Sequence, residues 1–158
     1  MAAAPETPRS QSLFDIAKEL PDGGFLVHGA AIAIAGRGVL FFGPSGAGKS
    51  QAALGMMALG ATLIADDQLI IDTGPVLRAL PDTPGLIEAR GVGLLATRLE
   101  PVPVPFALAI DLNAAEPQRL PPSRVLDCSD AEVPLILAAG HPNLAPVVMQ
   151  YLRGGRSK

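Results

Sequence analysis

Tryptophan is missing from this chain, tyrosine occurs once and phenylalanine five times, so aromatic residues make up only 4 % of it. Any core must therefore be filled by Leu, Ile, Val and Ala. Apolar residues reach 49 % and the chain has 158 residues, enough for one domain with a real core. Cysteine occurs once, at Cys128, which excludes an intrachain disulfide and points to a reducing compartment. An excess of positive charge is also absent: the net charge of −3 leaves no electrostatic footprint for nucleic acid. A bound nucleotide would have to be held by local groups rather than by a global field. No apolar run reaches membrane-spanning length without Gly, Pro or a charge, and the opening MAAAPETPRSQS lacks the apolar centre of a secretory signal. The expectation is a cytoplasmic protein with neither nucleic acid nor membrane as its partner.

What is there begins with punctuation. Residues 1–11 read as a flexible N-terminal tail, and residues 12–158 as a single domain. SLFDIAKEL spaces its apolar residues as a helix would, with Ser12 as N-cap, and residues 21–24 break it. Two apolar strands follow around Gly36-Arg37-Gly38. A helix is expected over SQAALGMMALG, closed by Gly60, and then a short strand, ATLIADD. QLIIDTG and PVLRALP read as further short strands around Gly74-Pro75, and the glycine-rich stretch at 83–96 as irregular. FALAID reads as a strand entered through alternating prolines, and residues 130–155 as mainly helical, interrupted at Gly140-His141-Pro142.

Residues 43–50, GPSGAGKS, fit G-x-x-x-x-G-K-[ST] in full, between an apolar strand and a helix. Glycines let the backbone turn its N–H groups inward at positive φ, and the helix N-terminus adds partial positive charge. Gly43, Pro44, Ser45, Gly46, Ala47, Gly48, Lys49 and Ser50 are thus the nucleotide-binding residues, with Lys49 reaching the β- and γ-phosphates and the Ser50 hydroxyl on Mg²⁺. A glycine-rich turn without a ligand is the competing reading. The loop also needs a carboxylate, and two sites offer one. Asp111 ends FALAID. Asp66 and Asp67 end TLIADD, 16 and 17 positions after Ser50, and return beside the loop if their strand pairs next to the one feeding it. Adjacent carboxylates on a strand point to opposite sides, so only one of the two should face the γ-phosphate. His28 lies in an apolar run and reads equally as a core side chain. Glu88 and Arg90, two apart in LIEARGVG, suggest a site loop or an exposed strand. Arg119, in a proline-bounded loop, either reaches the phosphates or is solvated.

Taken in order, His28-Gly29, GPSGAGKS, LIADD, GLIEARGVGLL, QRL and GHPNLAPVV resemble the catalytic domain of HPr kinase/phosphorylase. The resemblance runs from about Phe25 to Tyr151, and L-I-E-x-R-G-x-G is its most telling part. It implies an α/β fold: a P-loop nucleotide-binding domain with a mixed sheet, like the nucleotide domain of HPr kinase and phosphoenolpyruvate carboxykinase. It further implies a short form of the enzyme, an ATP- and Mg²⁺-dependent kinase of a serine on HPr, the small phosphocarrier of the sugar phosphotransferase system. A reverse activity, in which inorganic phosphate attacks phosphoserine and yields pyrophosphate, is implied too. By the same resemblance Ser50 and Glu88 hold Mg²⁺, and Asp67 is the general base. Asp66, His28, Lys49 and Arg119 match catalytic positions, and the assembly is a homo-oligomer, a hexamer by analogy. Three departures stand out: only 24 residues precede FLVHG, Pro44 replaces the usual Asp in the loop, and AAGHPN lacks the arginine of the family's late segment. The last of these bears on the reverse reaction. A P-loop kinase of another protein or of a small hydroxylated molecule, and a non-catalytic ATP-binding sensor, are the alternatives.

Overall fold

The computed structural model describes residues 10–157. In chain order the strands are β1 (Ser10–Ser12), β2 (Ala17–Glu19), β3 (Phe25–Ile34), β4 (Arg37–Phe42), β5 (Thr62–Ala65), β6 (Gln68–Asp72), β7 (Val76–Arg78), β8 (Leu86–Ala89), β9 (Gly93–Ala96), β10 (Val104–Asp111), β11 (Val125–Asp127) and β12 (Glu132–Leu137). The helices are α1 (Leu13–Ile16), α2 (Lys49–Ala58) and α3 (Leu144–Gly154). The main sheet is mixed and runs β1-β11-β12-β10-β4-β3-β6-β7, with β2 and β5 also paired to β3. Because β7 pairs antiparallel with the start of β10 as well, that part of the sheet curls back on itself.

β3 and β4 form the frame for the phosphate loop. Their alternating side chains divide the core: Ala30, Ile32, Val39 and Phe41 face α2 and α3, while Val27, Ala31, Leu40 and Phe42 face the other side. The connecting turn has positive φ at both Ala35 and Gly36, the geometry that matches strand twist in a two-residue hairpin. β10 runs parallel to β4 and supports it along its length, Leu108 to Asp111 against Val39 to Phe42. α2 lies over this centre and buries Ala53 and Met56. It ends as the glycine predicts: Gly60 takes φ +106°, and the Ala61 N–H closes onto the Met56 carbonyl at 3.1 Å. α3 packs on α2 so closely that a Cβ on Gly55 would lie 3.1 Å from that of Ala145.

Several expectations are corrected. Residues 1–9 of the expected tail lie outside the described residues, but Ser10 and Gln11 are not tail: they pair parallel with Val125 and Leu126. The helix expected over 12–20 is a single turn, α1, because Ala17–Glu19 are drawn into pairing with the start of β3. Residues 130–155 are not mainly helical. Glu132–Leu137 form a strand between β10 and β11, with Val133, Leu135 and Leu137 buried at a period of two. The glycine-rich stretch is not irregular either: β8 and β9 form a separate two-stranded hairpin. Finally, β5 does not pair next to the strand feeding the phosphate loop. It pairs with β3, one strand further out.

Candidate active site

β4 delivers the chain into the phosphate loop at Gly43, where φ is +150° and a Cβ would sit 3.2 Å from Leu112. Only glycine fits that approach. Gly46 and Gly48 follow with φ of +82° and +97°, and Gly48 caps α2 without a side chain. Lys49 turns back across the loop and donates to the carbonyls of Gly43 at 2.8 Å and Pro44 at 3.0 Å. In this way its ammonium is set inside the ring of backbone it would serve.

A cavity of about 1240 Å³ opens over this loop. Ser45, Gly46, Gly48, Lys49 and Ser50 form one wall, Asp66, Asp67 and Gln68 the floor, Leu80–Pro84 a second wall, and Glu88, Arg90 and Leu94 of the hairpin the third. The aspartates arrive by a fork in the sheet. The end of β3 (Ala31 to Ala33) pairs with β5, and its start (Phe25 to His28) pairs with β6. Asp66 and Asp67 occupy the point where the two partners diverge. The two carboxylates were expected on opposite sides of a strand, yet both line the cavity. The reason is that the strand is broken there: Asp67 has φ +95°, a left-handed conformation rare for a residue other than glycine.

The two aspartates are in different chemical situations. Asp66 is half-buried, and both its oxygens are used: Oδ1 accepts from Ser50 Oγ at 2.7 Å, and Oδ2 accepts from the backbone N–H of Glu88 at 3.0 Å. It thereby ties the phosphate loop to the hairpin. Asp67 is exposed, and its own carbonyl accepts from Gly29 N–H at 2.9 Å, which ties the turn back to β3. A hydroxyl and a carboxylate in contact are hard oxygen donors of the kind Mg²⁺ takes. Among the described residues no cluster of three or more His, Cys, Asp or Glu could hold a metal.

The other expected residues divide. Glu88 lines the cavity with its side chain exposed. His28 stands opposite Gln68 across the β3–β6 pair, next to the Gly29 that holds Asp67, but does not itself line the cavity. Arg119 is exposed in the segment between β10 and β11 and also lies outside the cavity lining. Asp111 is not a cavity carboxylate. It is buried, and its oxygens accept from Gln11 Nε2 at 2.6 Å and from Asn113 N–H at 2.7 Å, so it fastens β1 rather than a ligand. The wall at Leu80–Pro84 went unnoticed in the sequence, where nothing but its two prolines sets it apart. Cys128 is buried, and burial pushes its thiol up to about 12, far from a reactive thiolate.

Comparison with known proteins agrees with this geometry. Residues 24–99 match the family model of the HPr Serine kinase C-terminal domain, a stretch that takes in the phosphate loop, both aspartates and the whole hairpin. Over these residues the chain is similar to an HPr serine kinase C-terminal domain. The HPr kinase/phosphorylase of Lactobacillus acidophilus is 41 % identical over 73 residues, 44 % of this chain and 23 % of that protein. That of Mycoplasmopsis pulmonis is 40 % identical over 72 residues, with the same shares. The chain thus spans about a quarter of the length of the curated relatives it matches. The solved HPr(Ser) kinase/phosphatase of Coxiella burnetii superposes with a TM-score of 0.66 at 23 % identity, covering 81 % of this chain and 88 % of that one. The fold is therefore that of the HPr kinase domain, α/β with a mixed sheet. No helix among the described residues is long and apolar enough to cross a membrane.

Proposed function

We propose that this chain is an ATP-dependent protein-serine kinase acting on an HPr-like phosphocarrier in the cytoplasm. The observation that carries the reading is the division of labour at the fork. Asp66 is committed to the loop hydroxyl of Ser50, while Asp67 stands beside it in the same cavity with its carboxylate exposed.

In this reading the loop backbone and Lys49 hold the phosphates of ATP. Ser50, with Asp66 behind it and Glu88 across the cavity, holds Mg²⁺, which when bound neutralises phosphate charge. A serine hydroxyl is a weak nucleophile, and Asp67 accepts its proton as the Oγ–phosphorus bond forms and the bond to the leaving diphosphate breaks. His28 acts on Asp67 through the strand pair that holds the aspartate's turn. In the reverse direction inorganic phosphate attacks phosphoserine, Asp67 returns the proton to the serine oxygen, and pyrophosphate leaves. A homo-oligomer, hexameric by analogy, completes the reading.

The test is transfer of labelled phosphate from ATP to HPr and to an HPr whose acceptor serine is replaced by alanine. Label on the unaltered protein alone is expected. Label on neither protein, with ATP still bound, would instead favour another acceptor or a nucleotide sensor. Adding inorganic phosphate to phosphoserine-HPr, with pyrophosphate as the readout, decides on the reverse reaction.

A further inference from the structure

We propose that Asp82 recognises the acceptor protein: its carboxylate, on the Leu80–Pro84 wall of the cavity, receives a lysine or arginine that the acceptor carries beside its target serine. The inference rests on the kinase reading above and adds to it the kind of acceptor surface that this wall fits.

The carboxylates lining the cavity are Asp66, Asp67, Asp82 and Glu88. Three of them have a part in the transfer reaction. Asp66 is engaged with Ser50 and the Glu88 N–H, Asp67 is the proposed base, and Glu88 is the proposed Mg²⁺ ligand. Asp82 has no such part, and it makes no hydrogen bond or ion pair with any described residue. It is exposed, so its charge stays hydrated in the unbound protein. Once nucleotide fills the phosphate loop, the same carboxylate shares a cavity with an anion and is disfavoured by it. A cation brought in by the acceptor offsets that repulsion and adds an ion pair. Asp82 therefore selects a basic acceptor surface over an acidic one.

The carboxylate is held out on a firm support. Pro81 and Asp82 form the corner of a turn in which the Thr83 N–H donates to the Leu80 carbonyl at 3.0 Å, and proline presets the backbone at the first corner position. Before the turn, β7 is paired with β6 through Arg78 and Ile70. After it, the Gly85 carbonyl accepts from the Thr97 N–H at 2.9 Å, in an approach so close that a Cβ on Gly85 would sit 2.6 Å from the Thr97 carbonyl oxygen. The wall is thus anchored at both ends, and little conformational freedom is lost when a partner meets it. Pro81 and Pro84 are exposed on either side of Asp82. They offer apolar surface along which the methylene stem of a lysine or arginine lies while its head reaches the carboxylate. Among the described residues no hydrogen bond ties Leu80–Pro84 to the phosphate loop, Asp66 or Asp67, so acceptor recognition here is separable from nucleotide binding.

The experiment measures steady-state transfer from ATP to HPr on the full chain. The KM for HPr, the KM for ATP and kcat are read separately in the unaltered protein, Asp82→Asn and Asp82→Lys. Asp82→Asn is expected to raise the KM for HPr about fivefold, the upper end for an exposed ion pair, and Asp82→Lys about tenfold beyond that. In both variants kcat and the KM for ATP should stay within about twofold, which a damaged fold or a role on metal or nucleotide would not allow. Added salt should raise the HPr KM of the unaltered protein more steeply than that of Asp82→Asn. In a second arm, each lysine and arginine of HPr around its target serine is changed in turn to glutamate. One such HPr should be a poor substrate for the unaltered protein and be restored about tenfold by Asp82→Lys. An unchanged KM for HPr in Asp82→Lys, an equal rise in the KM for ATP, or a scan in which folded Asp82→Lys restores no variant overturns the proposal. If Asp82→Lys loses its cooperative melting, Asp82→Asn decides through its KM for HPr and its salt dependence. An unaltered protein that binds ATP but labels no HPr overturns the kinase reading and takes the proposal with it. Labelling of HPr with its KM unmoved by either variant overturns the proposal alone.

Discussion

Asp67 holds a left-handed backbone, φ +95°, at a cost of about 1–2 kcal/mol for a residue with a Cβ. Strain of this kind persists where surrounding structure over-determines it, and here the Gly29–Asp67 hydrogen bond and the two diverging strands do so. The cost places its carboxylate in the cavity beside that of Asp66. Asp67→Asn should leave nucleotide affinity within about twofold and reduce serine phosphorylation at least a hundredfold, the lower end of what a positioned base contributes. Asp67→Gly should be equally inactive yet at least as stable as the unaltered protein in urea, since glycine adopts the same φ without strain. A destabilised Asp67→Gly would show that the side chain, rather than the backbone, holds the turn.

Among the elements, the pair Glu116–Arg124 anchors the segment between β10 and β11. Arg124 is buried and donates to both carboxylate oxygens of Glu116, at 2.7 and 2.9 Å. The hydrogen bond from Arg124 holds the Glu116 carboxyl below its ordinary value of 4.5. Because the folded state binds that proton less readily than the unfolded chain, the pair stabilises the fold above about pH 4.5 and loses its contribution as pH falls below that. Glu116→Gln should cost about 2 kcal/mol at neutral pH and flatten the fall in stability between pH 5 and 3, as read from urea unfolding at each pH. The same scale explains what the sequence could and could not tell. The phosphate loop and its two flanking elements were legible because glycine spacing and apolar runs act locally. α1 and β2 were not, since helix-like spacing over 12–20 loses to the hydrogen bonds offered by the edge of β3. β12 carried its signal openly in the alternation of Val133, Leu135 and Leu137, but the Ala- and Leu-rich run after it looked helical. Asp66, Asp67, Glu88 and Arg90 could be picked out by residue type and spacing. That Asp66 joins two of the cavity walls could not, because that bond spans 22 residues.

At the scale of the whole molecule, β1 comes first in the described chain and lies last in the sheet. Its register depends on a contact reaching across 100 residues, Gln11 to Asp111. Asp111 adjoins Leu112, whose N–H donates to the Phe42 carbonyl at 2.8 Å just before the phosphate loop. A buried carboxylate deprived of a partner costs about 1–3 kcal/mol. Gln11→Ala should destabilise by that amount, and the loss should shrink when Asp111 is already Asn, the mark of direct coupling in a double-mutant cycle. Equal losses in both backgrounds would mean that the two side chains act independently.

The fork in β3 has a consequence for how such a protein can change over generations. One strand carries both neighbours: β5 leads to the carboxylate committed to the loop, and β6 leads away from the carboxylate that remains exposed. Past the junction, β6 and β7 lead to the Leu80–Pro84 wall, and β7 also pairs with the start of β10. Substitutions in the Leu80–Pro84 wall change one side of the cavity while Asp66 keeps its grip on Ser50 from the other. A lineage built on this frame can vary that wall from one descendant to the next and leave its phosphate loop as it was.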